Sequence, residues 1–236
     1  MIAAGGPGPV IPNFGHGSAC VTGNHLFCWS WVREHWSDTL EPHLVQHAEL
    51  TVIAVAIGFA IAFALALASH RVRALDQPIA IVAGLIYTIP SLVAFQILIA
   101  FSGLSNTTVL VPLIGYSLVI LYPNIVAGLR SVPPGVLEAA RGMGLERRQV
   151  LWRVELPLAL PAIIAGLRIA VVSTVAIATV ASLVGDRGLG YPIFLAMRLP
   201  TPFKTEIYSA GALVVALALA FDLLLVATRR VLVRWT

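Results

Sequence analysis

The sequence contains few charged residues and only two cysteines. Asp, Glu, Lys and Arg together make up 11% of the 236 residues, whereas about 25% of a typical soluble domain is charged. That shortage excludes an ordinary soluble domain, a disordered chain and a coiled coil. Two cysteines are too few for a disulfide-stapled secreted peptide. With 58% hydrophobic residues and a mean hydropathy of +0.91, the chain is predicted to be an integral membrane protein.

Long apolar runs recur along the chain. The clearest, residues 50–69, contains no charged residue and is followed by the basic segment HRVR. Four more runs, at about 79–101, 109–130, 162–184 and 207–228, are also long enough to cross a bilayer. Prolines within these runs predict kinked helices whose freed backbone groups face other helices or a cavity. The predicted fold is therefore an all-α bundle of five, or at most six, transmembrane helices.

The distribution of Lys and Arg predicts the orientation. If HRVR is cytoplasmic, that side carries ten cations and the other side four, which by the positive-inside rule places the N-terminus outside and the C-terminus in the cytoplasm. The net charge of +4 and the pI near 9.5 are then explained by the basic residues in the connections between spans. No nucleic-acid partner is expected. The ten are Arg71, Arg73, Arg130, Arg141, Arg147, Arg148, Arg153, Arg229, Arg230 and Arg234.

Residues 1–47 are predicted to form an extracytoplasmic tail. The first 19 residues are rich in Gly and Pro, and they contain no basic region before an apolar core, so we expect no signal peptide. Three tryptophans in CWSWVREHW suit a short interfacial helix, the alternative being an unstructured or partly inserted segment. Cys20 and Cys28 would be able to form a disulfide on the outer side, to bind metal with His16 and His25, or to be unrelated. The spacing matches no standard zinc pattern, and no metal site is expected.

A loop of about thirty residues, here 131–160, separates the third and fourth runs within the predicted transmembrane domain of residues 48–230. A structureless loop of this length is uncommon. Pro133 and Pro134 predict a helix start, Gly142 and Gly144 a sharp turn, and LERRQVLWRVEL a second short helix that stops at Pro157. The residues alone leave open whether this loop contacts another protein or lies on anionic lipid.

One pattern in this loop resembles the signature of the membrane-spanning permeases of bacterial binding-protein-dependent ABC importers. That signature is Glu-Ala-Ala, three residues, Gly, nine residues, an aliphatic residue, one more residue and Leu-Pro. All of its spacings are present, with Val in place of the usual Ile. The matching residues are Glu138, Ala139, Ala140, Gly144, Val154, Leu156 and Pro157. The resemblance covers about residues 45–230 and implies a coupling helix that sits in a groove of a cytoplasmic ATPase, with Arg141, Arg147 and Arg148 facing acidic residues around that groove.

Three further segments resemble the permeases for glycine betaine, carnitine, choline and proline. They are YTIPSLVAF, VELPLALPAIIAGLR and LVGDRGLGYPIF. Permeases for methionine and for aliphatic sulfonates share similar phrases, so these solutes remain alternatives. Asp186 and Arg187 depart from the small uncharged residues that relatives have before GLG. The resemblance implies bacterial cell-membrane import with two permease subunits, identical or homologous, two ATPases that bind ATP and Mg²⁺, and an external binding protein. This chain is expected to bind no cofactor and to have no catalytic residue.

Polar residues inside the runs are candidates for the pathway or for contacts between helices. Arg168 and Asp222 lie at equal depth, about six residues from the cytoplasmic ends of their spans, and are predicted to form an ion pair. The GLG segment is either a gate or a plain turn. The candidate pathway and gate residues are Tyr87, Pro90, Ser91, Gln96, Asn124, Gly188 and Gly190, with Tyr116, Ser173 and Thr174 as further polar groups.

Two other classes of protein fit the sequence less well. A membrane hydrolase needs a nucleophile and a base within the spans, but all six histidines lie outside the apolar runs or at their edges. A secondary carrier usually has inverted repeats and paired intramembrane carboxylates. No GxxxxGK[S/T] phosphate loop occurs in the sequence, so ATP is expected to be hydrolysed by a partner.

Overall fold

The computed structural model describes residues 18–233, and this part of the chain is helical with no strand. Eleven α-helices follow one another, with short π and 3-10 turns between some of them. The helices are α1 (Ala19–Thr22), α2 (Trp29–Glu34), α3 (Glu41–Arg71), α4 (Asp76–Thr88), α5 (Ser91–Ser102), α6 (Asn106–Arg130), α7 (Pro134–Gly142), α8 (Arg147–Val150), α9 (Leu156–Val180), α10 (Gly190–Arg198) and α11 (Lys204–Leu232).

Four continuous helices in the described chain are long and apolar enough to cross a membrane. They are Trp36–Arg71, Asn106–Arg130, Arg147–Val180 and Lys204–Leu232. At about 1.5 Å per residue, each exceeds the roughly 30 Å hydrocarbon thickness. The α4–α5 pair gives a fifth candidate, bent by 92°. The predicted all-α membrane fold is confirmed.

Helix α6 lies at the centre of the bundle, between α3 and α9. Small residues let the helix axes approach closely: Gly58 of α3 lies against Ser117, and Gly128 lies against Ala159 and Ala162 of α9. Leucine and isoleucine side chains of α6 fill the remaining space, and Leu121 and Ile125 are fully buried. Close packing over its whole length makes α6 the scaffold for the other spans.

The prolines in the spans have different effects. Pro112 and Pro123 lie inside α6, which continues through both. Only Pro90 separates two helices, because Ile89 before it adopts an extended conformation with φ −74° and ψ 120°. The residue before a proline is sterically disfavoured in the α region, so the chain turns there.

The prediction that a second short loop helix stops at Pro157 is wrong. Residues Arg147–Val180 form one continuous helix, with a π turn at Leu151–Glu155 directly before Pro157. Pro157 lies in the first turn of α9, directly after the π turn, where the missing N–H of a proline has no required partner. The wider π turn accommodates the proline ring. Helix α8 of the loop is therefore continuous with the α9 span.

The N-terminal segment from α1 to α2 packs against the start of α11. Cys20 and Cys28 form a disulfide, which decides among the alternatives that the sequence left open. Buried Trp31 contacts Phe203 edge-on, with ring centroids 5.4 Å apart. Helix α2 occupies the stretch predicted to be helical. Residues 1–17, which include His16 and the first part of the predicted tail, lie outside the described part of the chain.

Candidate coupling loop and translocation pathway

The α7–α8 loop forms a compact hairpin at one end of the bundle, here called the inner end because the positive-inside rule predicts it to be cytoplasmic. Helix α7 begins at Pro134 and ends at Gly142. Gly144 then adopts φ +85°, a left-handed conformation that glycine enters at low cost. The amide of Leu145 donates to the carbonyl of Ala140 at 3.2 Å and closes the turn. Gly144 thus sets the direction in which α8 leaves.

The signature residues divide between two faces of the loop. Glu138 and Ala139 are exposed, whereas Ala140 is buried. Val154, Leu156 and Pro157 are half-buried, and Leu156 packs against the bundle core. The exposed pair is therefore presented to solvent while the downstream residues anchor the loop.

The hydrogen bond that caps the start of α8 was not predicted from the sequence. The Gln149 side chain accepts a hydrogen bond from the Glu146 amide at 2.9 Å, as the reciprocal half of a capping box does. The spacing of Glu146 and Gln149 in ERRQ, three residues apart, carried this signal. The cap fixes where the helix resumes after the Gly144 turn.

The α4–α5 elbow brings together Tyr87, Pro90 and Ser91, with Gln96 on α5. Tyr87 is 66% exposed, Gln96 is exposed and Ser91 is half-buried. Tyr116 of α6 donates a hydrogen bond to the Ile89 carbonyl and ties the elbow to the bundle. A 92° bend leaves backbone groups without helical partners, and such groups are not stable in lipid. The elbow is therefore expected to face protein or a water-filled passage.

The base of α4 is anchored by a network that sequence reasoning also missed. Asp76 accepts hydrogen bonds from the Tyr122 hydroxyl and from Arg130 Nη2, each at 2.8 Å. The Tyr122 hydroxyl oxygen also lies 3.1 Å from Ser69 Oγ. Three elements, the end of α3, the start of α4 and the end of α6, meet at this carboxylate. With its base held here and its other end held by Tyr116, the elbow has a fixed position.

Other polar candidates lie away from the elbow. Asn124 donates to the Ile120 carbonyl of its own helix at 2.7 Å and lies against Gly166, at the α6–α9 crossing. Thr174 is buried and donates to the Ala170 carbonyl, and Ser173 is half-buried. These residues are placed where helices pack against each other.

The segment before α10 is held by one face of α3. The Gly188 amide donates to Gln46 Oε1 at 2.6 Å, and the Leu189 amide donates to His47 Nδ1 at 3.2 Å. His47 Nε2 donates in turn to the Val175 carbonyl at 3.0 Å. His43 Nε2 lies 2.7 Å from Asp186 Oδ1. In the sequence HLVQH, His43, Gln46 and His47 lie at positions i, i+3 and i+4, which places them on one face of a helix. This spacing was the signal from which their shared face could have been predicted.

The two glycines of this segment allow close approach. Gly188 has φ +56°, and Gly190 lies directly against the Thr179 backbone. Gly190 also begins α10. The GLG segment therefore leads into α10 while hydrogen-bonded to α3.

Arg168 and Asp222 form a two-pronged ion pair between α9 and α11. Arg168 Nε donates to Asp222 Oδ1 at 2.7 Å, and Nη2 donates to Oδ2 at 2.8 Å. The parallel arrangement satisfies both carboxylate oxygens. It provides a polar clamp for α11, most of whose apolar surface is exposed.

The described chain is thus a multi-span helical bundle with a two-helix loop at one end and a broken helix beside its core. A sequence profile for the binding-protein-dependent transport system inner membrane component family matches residues 45–235. The chain belongs to this family, as its loop signature indicated. It is the permease subunit of an ABC importer, the inner-membrane component of a transport system that depends on a binding protein.

Individual relatives agree with this assignment. The chain is 32% identical to the choline transport system permease protein of Bacillus subtilis over 78% of this chain and 84% of the relative. It is 34% identical to an osmoprotectant import permease protein of Salmonella typhimurium over 76% of this chain and 85% of the relative. Its fold is similar to a chain of the inward-facing methionine ABC transporter, with a TM-score of 0.72, 21% identity, and coverage of 82% and 95%.

Proposed function

We propose that this permease forms half of a translocation pathway for osmoprotectants: the quaternary amines glycine betaine, carnitine and choline, and the zwitterion proline. The observation that carries the solute class is the similarity, over more than three quarters of the chain, to permeases named for choline and for osmoprotectants. Neutral polar groups at the elbow suit this class, because a zwitterion or a quaternary cation has no need of a buried acid or base in its path.

The pathway runs past the α4–α5 elbow. This part of the chain is the least covered by the rest of the bundle: Ala83 is the only buried residue of α4, and Phe95 is the only one of α5. A second permease subunit, identical or homologous, faces this surface and encloses the exposed Tyr87 and Gln96. The complex contains two permeases, two ATPases and one external binding protein.

The α7–α8 loop couples the permease to ATP hydrolysis on the partner. Exposed Glu138 and Ala139 present a small surface to a groove in the ATPase, which is a helix-in-groove contact. Continuity of Arg147–Val180 transmits the movement of this loop to a membrane span. The N-terminus is outside and the C-terminus inside, and the Cys20–Cys28 disulfide supports this orientation because disulfides persist in oxidising compartments.

The test is uptake into proteoliposomes that contain the purified complex, with ATP on the ATPase side. Labelled glycine betaine or choline should accumulate only with ATP and the binding protein. Methionine and an aliphatic sulfonate serve as comparison solutes. ATP-dependent accumulation of methionine or the sulfonate without glycine betaine, choline, carnitine or proline would contradict the solute class and leave the importer assignment intact.

A further inference from the structure

A basic cavity lies at the inner end, between the end of α3 and the α7–α8 loop. Its volume is about 740 Å³. Residues from three elements line it, so it is a product of the tertiary fold and does not follow from a single charged run. Five of the lining residues are arginines: Arg71, Arg73, Arg141, Arg147 and Arg148.

The positive charge of this cavity is not balanced by the described residues. Glu155 is the only acidic residue in the lining, and its Oε2 atom lies 2.7 Å from His70 Nε2. None of the five arginines takes part in an ion pair within residues 18–233. Like charges that converge on one concave surface repel each other and concentrate counter-ions, so the arrangement favours a bound anion.

The cavity is distinct from the surface that the signature presents to an ATPase. Leu137 and Arg141, four residues apart on α7, line the cavity. Glu138 and Ala139 are exposed and do not line it. The arginines therefore lie between the loop and the bundle, behind the face proposed for the coupling contact.

The cavity adjoins residues of the kind that lie at the membrane–water interface. Trp152, 52% exposed, lies beside Arg148 and Arg153 at the start of the span that continues to Val180. Tryptophan is enriched at the membrane–water interface. Guanidinium groups bind phosphate oxygens through paired hydrogen bonds.

We propose that this cavity binds a phosphate-bearing anion through its arginines, and its position beside these residues favours the headgroup of an anionic phospholipid over a soluble phosphate. Such a ligand bridges α3, α7 and α8. It holds the coupling loop against the bundle by neutralising the repulsion among the arginines. The site does not depend on the solute class proposed above, and it is tested on the permease without any transport.

The experiment measures lipid retention on the purified full-length chain by native mass spectrometry. Mixed micelles supply phosphatidylglycerol or, as the uncharged comparison, phosphatidylcholine. The test variant Arg71→Gln/Arg148→Gln removes two lining charges and leaves every signature residue in place. Arg229→Gln/Arg230→Gln is the matched control, since it removes two charges at the inner end of α11 and outside the cavity lining.

We expect the wild type and the control to retain phosphatidylglycerol in preference to phosphatidylcholine. The test variant should bind it roughly 25-fold more weakly, at roughly fivefold for each arginine. A double lysine variant, Arg71→Lys/Arg148→Lys, should recover part of this affinity. Inorganic phosphate at millimolar concentration identifies the source: displacement of the lipid indicates a site for soluble phosphate compounds, and resistance indicates a lipid site.

Equal loss in the test and control variants would overturn the proposal, because the effect would then reflect net charge alone. Retention of neither lipid nor phosphate by the wild type would also overturn it. If, in addition, the test variant failed to co-purify with the ATPase, the arginines would be contacts for an acidic protein surface. The substitution Gly144→Ala tests the coupling contact separately.

Discussion

At the scale of single residues, the Arg168–Asp222 pair shows how a charge is kept inside a span. Removing one partner leaves the other charge uncompensated in a low-dielectric environment, whereas replacing both with apolar groups removes the problem. Their side chains are 33% and 26% exposed within this subunit, so lipid or a neighbouring helix completes their surroundings. The pair is expected to serve assembly, and it lies apart from the proposed pathway elbow.

We predict that Asp222→Leu and Arg168→Leu each lower the yield and melting temperature of the purified permease. The double variant Arg168→Leu/Asp222→Leu should be more stable than the sum of the single effects implies. Fluorescence-detected size exclusion and thermal melting in one detergent measure both quantities. Strictly additive losses would show that the two side chains do not stabilise each other.

At the scale of helices and turns, the loop signature depends on one left-handed residue. Gly144 has φ +85°, and Gly142, two residues earlier, ends α7 in an ordinary helical conformation. A Cβ at either position would meet no neighbouring atom within 4 Å. The two glycines therefore differ in backbone conformation and not in available space.

We predict that Gly144→Ala costs about 1–2 kcal/mol, because a Cβ is disfavoured in the left-handed region. Gly142→Ala should be neutral or slightly stabilising, by about 0.4–1 kcal/mol. ATP-dependent uptake per molecule of complex should fall severalfold in the first variant alone, together with co-purification of the ATPase. Equal activity of the two variants would mean that the turn is not required for coupling.

Hydropathy and proline position predicted the spans and the break at Pro90, because both follow from local rules for membrane burial and backbone sterics. The continuous helix through Pro157 could not be predicted, since a π turn upstream accommodates the proline ring. The contacts of His47 with Val175 and Leu189 were also missed. They join residues more than 120 positions apart, and hydropathy specifies burial without specifying partners.

At the scale of the whole molecule, the bundle exposes two different kinds of surface. Helix α11 exposes large side chains such as Leu219 and Leu223 along its span, as a lipid-facing helix does. The α4–α5 elbow exposes polar side chains and interrupted backbone as well. Only the second kind of surface requires a protein or water-filled environment.

A cysteine at Gln96 should therefore react with a charged, membrane-impermeant methanethiosulfonate, whereas a cysteine at Leu219 should not. Reaction at Gln96→Cys should block uptake, and saturating glycine betaine should slow it. The native cysteines are paired in a disulfide and do not compete for the reagent. If Leu219→Cys reacted as fast as Gln96→Cys, the elbow would be no more accessible to water than the lipid face.

The contacts of the N-terminal segment determine an order of events during synthesis. Asn24 accepts a hydrogen bond from the Lys204 amide and donates one to the Pro202 carbonyl, and the Thr205 hydroxyl donates to the His25 carbonyl. These partners are about 180 residues apart in sequence. This segment is made before α11, so it docks only after α11 has entered the membrane. A chain that stops before α11 would leave this segment without these partners and exposed to proteases.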